Sequence, residues 1–172
     1  MNRRAFTLVE LLVVIAIIGL LSTVAVVSLG SSRLQARNAK RLADMKQYVN
    51  AFQLAYDANG NSYASGTGSI NAGPAAFYGW SGIAANATVD AFFSPYLPNK
   101  PVYPTPNPAI AIAGYMYIGG WGGGTSPYGS VVYPAQPILD WTLEGSTNCG
   151  FGLIWDQRAA YTECIYLLRN NM

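Results

Sequence analysis

The sequence contains no histidine, few charged residues and only two cysteines. Without histidine there is no His-based catalytic triad, no histidine metal ligand and no imidazole general base. Charged residues make up 10% of the 172-residue chain and hydrophobic residues 51%, whereas about 25% of an average soluble domain is charged. Such a chain is not disordered as a whole. Its uncharged surface suits a protein that lies against a membrane or against copies of itself.

The few charges are unevenly distributed along the chain. A basic segment at 33–46 carries five Lys or Arg residues against Asp44 alone, whereas residues 50–172 carry more acidic than basic side chains. The net charge of the whole chain is +2, a bias too weak to indicate nucleic acid as the main partner. The basic segment leaves DNA open as a secondary partner.

An apolar run near the N-terminus is the most informative part of the sequence. Residues 11–32 carry no charge, and 11–29 include thirteen Leu, Val or Ile residues. These residues favour membrane insertion by roughly 4–8 kcal/mol in total, which exceeds the cost of Glu10 at the edge, below about 3 kcal/mol. As a helix, 11–29 spans about 28 Å, close to the hydrocarbon thickness of a bilayer. Arg3 and Arg4 place the N-terminus on the cytoplasmic side.

Three other interpretations of this run are open. A cleaved secretory signal has an apolar stretch of about 7–15 residues before a small-residue site, and here the stretch is longer, with no clean Ala-x-Ala after it. A plain membrane anchor leaves Glu10 and the Arg-Arg-Ala-Phe-Thr leader unexplained. A buried core helix needs a comparable apolar partner helix, which the sequence does not offer.

The N-terminal block RAFTLVELLVVIAIIGLL, residues 4–21, resembles the class III leader of type IV pilins and type II secretion pseudopilins. The resemblance implies that a prepilin peptidase cuts between Ala5 and Phe6 and then N-methylates Phe6. The family usually has Gly before the cut, and Ala5 departs from that pattern. The resemblance also assigns Glu10 to pairing with the amine of a neighbouring subunit, with Phe6 and Thr7 in the same assembly contact. An unpartnered carboxylate at the membrane edge, and a Thr7 that is simply tolerated, are the alternatives.

The helix is predicted to continue beyond the membrane to residue 57. Apolar residues recur three and four positions apart, as on one helical face, at Leu42, Met45, Val49, Phe52 and Tyr56. The rest of the helix surface is assigned to the polar residues Arg37, Lys40, Arg41, Asp44 and Gln47. Asn59-Gly60-Asn61 predicts the helix end. Gly19 and Gly30 are its weak points, so any local unwinding in a filament is expected between them.

The remainder of the chain is predicted to form a small antiparallel sheet. The pattern indicates an irregular connection over 59–88, a short helix at 87–93 and a proline-rich extended segment at 95–108. Strands are expected at 110–118, 130–133, 151–155 and 163–168. The Gly-rich run 119–124 is expected to be a flexible turn, because no Lys-Ser/Thr follows it as in a phosphate loop.

Two sets of side chains in this part are candidate sites. In an oxidising exterior compartment, Cys149 and Cys164 are expected to form a disulfide, with a reactive thiol pair as the alternative. Some pseudopilins bind calcium in this region, which makes Asp140, Glu144 and Asp156 weak candidate calcium ligands. Their spacing is not that of an EF-hand, and solvated loop carboxylates are the alternative.

Together these features predict an α+β subunit with the pilin fold, a long N-terminal helix packed on a small antiparallel sheet. Its expected segments are the leader 1–5, the membrane-spanning helix half 6–32, the amphipathic half 33–58, a connecting region 59–109 and a β-sheet head with a C-terminal disulfide loop, 110–172. No catalytic residue and, calcium apart, no cofactor are predicted.

The resemblance implies a structural subunit of a type IV pilus, for adhesion, motility or DNA uptake. Its partners would be further copies of itself, the prepilin peptidase, the inner-membrane assembly platform with its ATPase, and the lipid bilayer. It would cross the cytoplasmic membrane once, N-terminus inside, before it enters an extracellular pilus or a periplasmic pseudopilus. A type II secretion pseudopilin is the first alternative, and a membrane-anchored extracytoplasmic binding module is the second.

Overall fold

The structure is a computed structural model that describes residues 6–70, 75–77, 80–104 and 114–168. The leader with Ala5, and the first residues of the predicted strand 110–118, lie outside these ranges. The chain divides into two compact units, Met1–Arg37 and Asn38–Met172, which we call the N-terminal and the C-terminal unit. Each is described by itself below.

Helix α1 runs from Leu8 to Ala58 and contributes residues to both units. It ends at the predicted Asn-Gly-Asn turn. There the Asn61 N–H donates to the Tyr56 carbonyl at 3.0 Å, and Gly60 and Asn61 have φ of 64° and 58°. Gly and Asn adopt this left-handed conformation most readily, so a local sequence signal sets the helix end. The predicted long N-terminal helix is confirmed.

The C-terminal unit is built on a five-stranded sheet. The described strands are β1 (Thr67–Ser69), β2 (Ala75–Phe77), β3 (Trp80–Ile83), β4 (Tyr115–Ile118), β5 (Gly124–Thr125), β6 (Val132–Tyr133), β7 (Ile138–Glu144), β8 (Leu153–Gln157) and β9 (Tyr161–Leu167). The main sheet has the order β1-β4-β7-β9-β8, and each neighbouring pair is antiparallel. Separately, β2 pairs with β3 and β5 with β6. The α+β class with a small antiparallel sheet is confirmed.

The short helix α2 (Ala87–Phe93) lies where the sequence predicted it. Its first turn is capped by the side chain of Asn86, which accepts hydrogen bonds from the N–H groups of Thr88 and Val89. Asn is among the preferred residues for this position, because its side-chain oxygen satisfies helix N–H groups that have no partner within the helix.

Two parts of the sheet differ from the sequence-based prediction. Strand β1 lies in the segment 59–88, which was expected to be irregular, and β7 was not predicted although it is the middle strand of the sheet. All seven residues of β7 are buried. Its apolar members Leu139 and Trp141 join the main core, while the polar Asp140 and Thr142 alternate with them. Buried polar residues made the strand resemble a loop.

The core of the C-terminal unit is rich in aromatic rings. The Phe52 ring of α1 lies 4.8 Å from the Tyr117 ring and 5.1 Å from the Phe93 ring, centre to centre. The Tyr48 ring lies 5.6 Å from that of Tyr115. All five side chains are buried. Aromatic pairs at these distances add to the stability gained from burial alone.

The predicted apolar face of α1 is confirmed in part. Met45, Phe52 and Tyr56 are buried, while Leu42 and Val49 are partly buried against the same core. Two residues assigned to the polar surface are misplaced by the sequence analysis, because Arg41 and Asp44 are buried. The helix period alone could not reveal this, since both side chains are held by polar partners on other elements of the fold.

Candidate assembly site

The apolar side chains of the N-terminal unit are exposed. Every large hydrophobic side chain described from Phe6 to Val24 is exposed, from 46% at Val14 to 83% at Phe6. By length and composition, α1 is apolar enough to cross a membrane, and none of its most apolar stretch is buried. A helix that is apolar on all sides is normally surrounded by lipid or by other helices. The exposed surface is therefore the first element of a candidate assembly site.

Ser22 and Thr23, two polar residues within this stretch, are satisfied by the helix itself. The Ser22 hydroxyl donates to the Ile18 carbonyl at 2.7 Å, and the Thr23 hydroxyl donates to the Leu20 carbonyl at 2.7 Å. Such bonds to the preceding turn let Ser and Thr enter an apolar environment without an unpaired donor. The hydroxyl groups are thus compatible with lipid or with a bundle of helices.

Thr7 and Glu10 form a reciprocal cap at the start of α1. The backbone N–H and the hydroxyl of Thr7 each donate to Glu10 Oε2 at 2.8 Å, and the backbone N–H of Glu10 donates to Thr7 Oγ1 at 3.2 Å. This is the capping box, in which Thr precedes the helix and Glu is its third residue. It satisfies two N–H groups that the helix itself leaves unpaired.

The capping box gives Thr7 a definite role, which the sequence analysis missed. The signal was readable as Thr-x-x-Glu directly before an apolar run, but the resemblance assigned Thr7 only to a contact between subunits. Both bonds from Thr7 use Oε2 of Glu10, so Oε1 lies outside the box. The cap therefore orients the carboxylate at the first turn while one of its oxygens takes no part in capping.

The C-terminal unit contains a buried ion pair between α1 and β7. Arg41 Nη2 lies 2.6 Å from Glu144 Oε1, and both side chains are almost wholly inaccessible to solvent. Asn38 connects the two residues, since its side chain bonds the Glu144 backbone N–H and carbonyl, both at 2.9 Å, and accepts from Arg41 Nη1 at 2.8 Å. The Tyr103 ring lies 4.7 Å from the guanidinium carbon. A buried charge is tolerable only with partners of this kind.

Each of the three candidate calcium ligands has another charged or acidic side chain as its partner. Glu144 pairs with Arg41, and Asp156 pairs with Arg158 at 2.9 Å. Asp140 lies beside Glu163. Within the residues that the structure describes, no group of three or more acidic or cysteine side chains is placed to hold a metal ion.

Asp140 and Glu163 form a pair of neighbouring carboxyl groups in the sheet. Burial, followed by the charge of Glu163, raises the pKa of Asp140 well above its ordinary value. Burial also raises the pKa of Glu163 to about 7, and the charge of Asp156 acts in the same direction. No sequence pattern indicates a role for Glu163, because it lies 23 residues from Asp140 in the chain and only strand pairing brings the two together.

A disulfide joins Cys149 to Cys164. Cys164 lies in β9 opposite Trp141 of β7, so the bond ties the loop after β7 to the sheet. For a closed loop of this size, a disulfide contributes about 3 kcal/mol to stability. Both half-cystines are buried.

Residues 1–26 match the family model described as the prokaryotic N-terminal methylation motif. The match covers the leader and the first part of α1, and it fits a type IV pilin or a pseudopilin. The resemblance to the class III leader is thereby confirmed. No curated protein and no solved structure shows a significant match to the chain. The motif and the exposed apolar helix agree with membrane anchoring before assembly.

Proposed function

We propose that this protein is a prepilin, which a prepilin peptidase cuts between Ala5 and Phe6, N-methylates at Phe6 and releases for assembly into a type IV pilus. The observation that carries the proposal is an exposed apolar helix that directly follows a methylation motif. Before assembly, lipid of the cytoplasmic membrane covers this helix, with the N-terminus inside. In the filament, the helices of other copies cover it. The protein acts by assembly rather than by catalysis.

Energetics explains why such an assembly needs a machine and a specific contact. An apolar helix that leaves lipid for a helix bundle gains little net hydrophobic free energy, because lipid tails are as apolar as Leu. Extraction from the membrane therefore depends on an assembly platform driven by an ATPase. Specificity then depends on packing and on the few polar groups near the N-terminus, of which Glu10 is the only acidic one within residues 6–32.

Glu10 is suited to receive the methylated amine of Phe6 from a neighbouring subunit. Within its own chain the capping box occupies Oε2 and orients the carboxylate, which leaves Oε1 for the neighbour. An ion pair at this position avoids a lone ammonium or a lone carboxylate in an apolar filament core. The Glu10 side chain thus caps its own helix and, by pairing with the amine of the next subunit, sets how the two subunits are aligned.

Two substitutions of Glu10 separate these roles. Glu10→Gln keeps an oxygen that can close the capping box, since Gln also serves at this position, but it removes the charge. Glu10→Ala removes both. We expect both variants to insert into the membrane and to yield no filaments in the sheared extracellular fraction, whereas Thr7→Ser, which retains the box, assembles normally. Filaments from Glu10→Gln would show that capping, not ion pairing, is what assembly requires.

Intact mass spectrometry of the native filament tests the whole proposal. We expect a chain that begins at methylated Phe6 and contains one disulfide. An unprocessed chain found only in membranes would overturn the proposal in favour of an anchored binding module. A processed chain that forms no extended surface fibres, in cells whose protein secretion depends on it, would indicate the pseudopilus of a type II secretion system instead.

A further inference from the structure

A cleft of about 500 Å³ lies in the C-terminal unit, beside the turn that ends α1. Three segments form its wall: the turn and loop after α1 (61–65), the residues after β4 (119–121) and the residues before β7 (135–137). The volume is within the range of small-molecule sites. Its occupant can therefore be inferred from the chemistry of the wall.

Hydrogen bonds and close packing hold the wall segments in place. The Tyr117 hydroxyl donates to the Ala64 carbonyl at 2.6 Å, and the Leu168 N–H donates to the Pro137 carbonyl at 2.9 Å. A Cβ at Gly119 would lie 2.5 Å from the Ala64 carbonyl oxygen, so glycine is needed where these two segments approach each other. The cleft is thus formed by the folded chain itself, as most binding sites are before a ligand arrives.

The polar side chains of this wall are amides and hydroxyls. The described wall contains no charged residue, and its amide and small hydroxyl side chains are those of Asn61, Ser62, Ser65 and Gln136. Within the part of the chain that the structure describes, these four side chains form no hydrogen bond. Amide and hydroxyl groups both donate and accept hydrogen bonds. They are therefore suited to a neutral ligand that carries several hydroxyl groups.

Trp121 adds an aromatic surface to the same wall. Its side chain is half-buried, and its ring packs edge to face against that of Trp155, 5.4 Å away between centres. This packing holds the Trp121 ring in one orientation. The exposed part of the ring can make dispersion contacts with the C–H groups of a ligand. A sugar ring has an apolar face of C–H groups and a rim of hydroxyls, so it matches both parts of the wall.

We propose that this cleft binds a neutral carbohydrate. One pyranose ring packs on Trp121, and its hydroxyl groups form hydrogen bonds with the side chains of Ser65 and Gln136. The site uses residues of the C-terminal unit alone, so the inference goes beyond the proposed filament function and does not depend on it.

The wall fits other classes of ligand less well. A charged ligand would lose hydration without gaining an ion pair, because the described wall has no charged side chain. A wholly apolar ligand would displace water from the amides and hydroxyls without replacing its hydrogen bonds. A neutral carbohydrate avoids both costs, since it replaces the water at the polar groups and covers the indole with C–H groups.

Saturation-transfer NMR of the full chain, in micelles of an uncharged detergent without a sugar headgroup, tests this inference. The probe is cellobiose, and sorbitol is the control, because it carries similar hydroxyl groups but has no ring. We expect saturation to pass from the protein to the ring protons of cellobiose, and sorbitol to bind about tenfold or more weakly. No transfer to cellobiose, or equal transfer to sorbitol, would overturn the inference.

Substitutions locate the site within the protein. Trp121→Ala is expected to weaken cellobiose binding by about tenfold or more and Gln136→Ala by about threefold. The matched controls Tyr128→Ala and Gln47→Ala, at exposed residues outside the cleft, are expected to leave binding unchanged. Near-ultraviolet circular dichroism checks that each variant is folded, and Gln136→Ala decides if Trp121→Ala is not. Unchanged binding in either folded cleft variant, or an equal loss in its control, would overturn the inference.

Discussion

The two parts of helix α1 show opposite distributions of side chains. In the N-terminal unit, apolar residues such as Leu12 and Ile15 are more than half exposed, whereas in the C-terminal unit the charged residues Arg41 and Asp44 of the same helix are buried. The second part meets a sheet and polar partners from its own chain. The first part has its apolar surface open to lipid or to other copies. On this helix, whether a side chain is apolar or charged therefore does not predict whether it is buried or exposed.

The sharpest test of this comparison is one large-to-small substitution in each part. Phe52→Ala removes a fully buried ring that contacts three other rings and is expected to cost about 4 kcal/mol of unfolding free energy. Leu12→Ala, at a residue that is 56% exposed, is expected to change it by less than about 0.5 kcal/mol. Denaturant unfolding of the full chain in detergent gives both values.

Tryptophan fluorescence is the suitable signal for this experiment, because all four Trp residues belong to the C-terminal unit. If Leu12→Ala destabilised that unit as much as Phe52→Ala, the N-terminal part of the helix would carry folding energy that its exposure does not indicate. That result would contradict the difference between the two parts of α1 in their contribution to folding.

The buried ion pair offers the next largest effect. Arg41→Met leaves Glu144 buried without its charged partner and is expected to cost about 3 kcal/mol. Adding Glu144→Leu removes the lone charge and should recover most of that loss. The comparison variant is Lys40→Met, because Lys40 is half exposed in its pair with the buried Asp44 and Asp44 keeps a hydrogen bond from the Tyr115 hydroxyl, so a smaller loss than for Arg41→Met is expected. A double variant less stable than Arg41→Met would contradict this account.

The smallest expected effect is a dependence on pH confined to the C-terminal unit. The pKa of Glu163 rises from 4.5 to about 7 on folding, chiefly through burial. Between these values the unfolded chain has released the proton while the folded chain retains it. The contribution of Glu163 to the unfolding free energy is therefore fully present below about pH 4.5 and is lost as the pH rises to about 7. The slope is roughly 1 kcal/mol per pH unit for one group, and the raised pKa of Asp140 acts in the same direction.

Glu163→Gln should flatten this pH profile between about 4.5 and 7, measured as unfolding free energy at several pH values. Since residues 11–32 contain no ionisable side chain, a pH effect on helix content in that segment is not expected. Stability that rises over this range, or a Glu163→Gln profile identical to that of the unchanged protein, would contradict the assigned pKa shift.

Several features of this protein depend only on residues that are close together in the chain and could be predicted from them. The membrane-length apolar run, the leader motif, the helix end at Asn59-Gly60-Asn61 and the short helix α2 each result from composition or spacing over a few turns. The capping box of Thr7 and Glu10 was equally local and could have been recognised. Local signals suffice here because capping, propensity and apolar length act within one segment of chain.

Other features depend on contacts between distant segments and became visible only in the folded chain. Arg41 and Glu144 are 103 residues apart, and neither residue type predicts burial, since charged side chains are buried only when paired. Strand β7 is recognisable only through its pairing with β4 and β9, and Asp140 and Glu163 are neighbours only because β7 and β9 pair in this register. Such features escape prediction because the free-energy cost of burying a polar group depends on its partner, which no local pattern specifies.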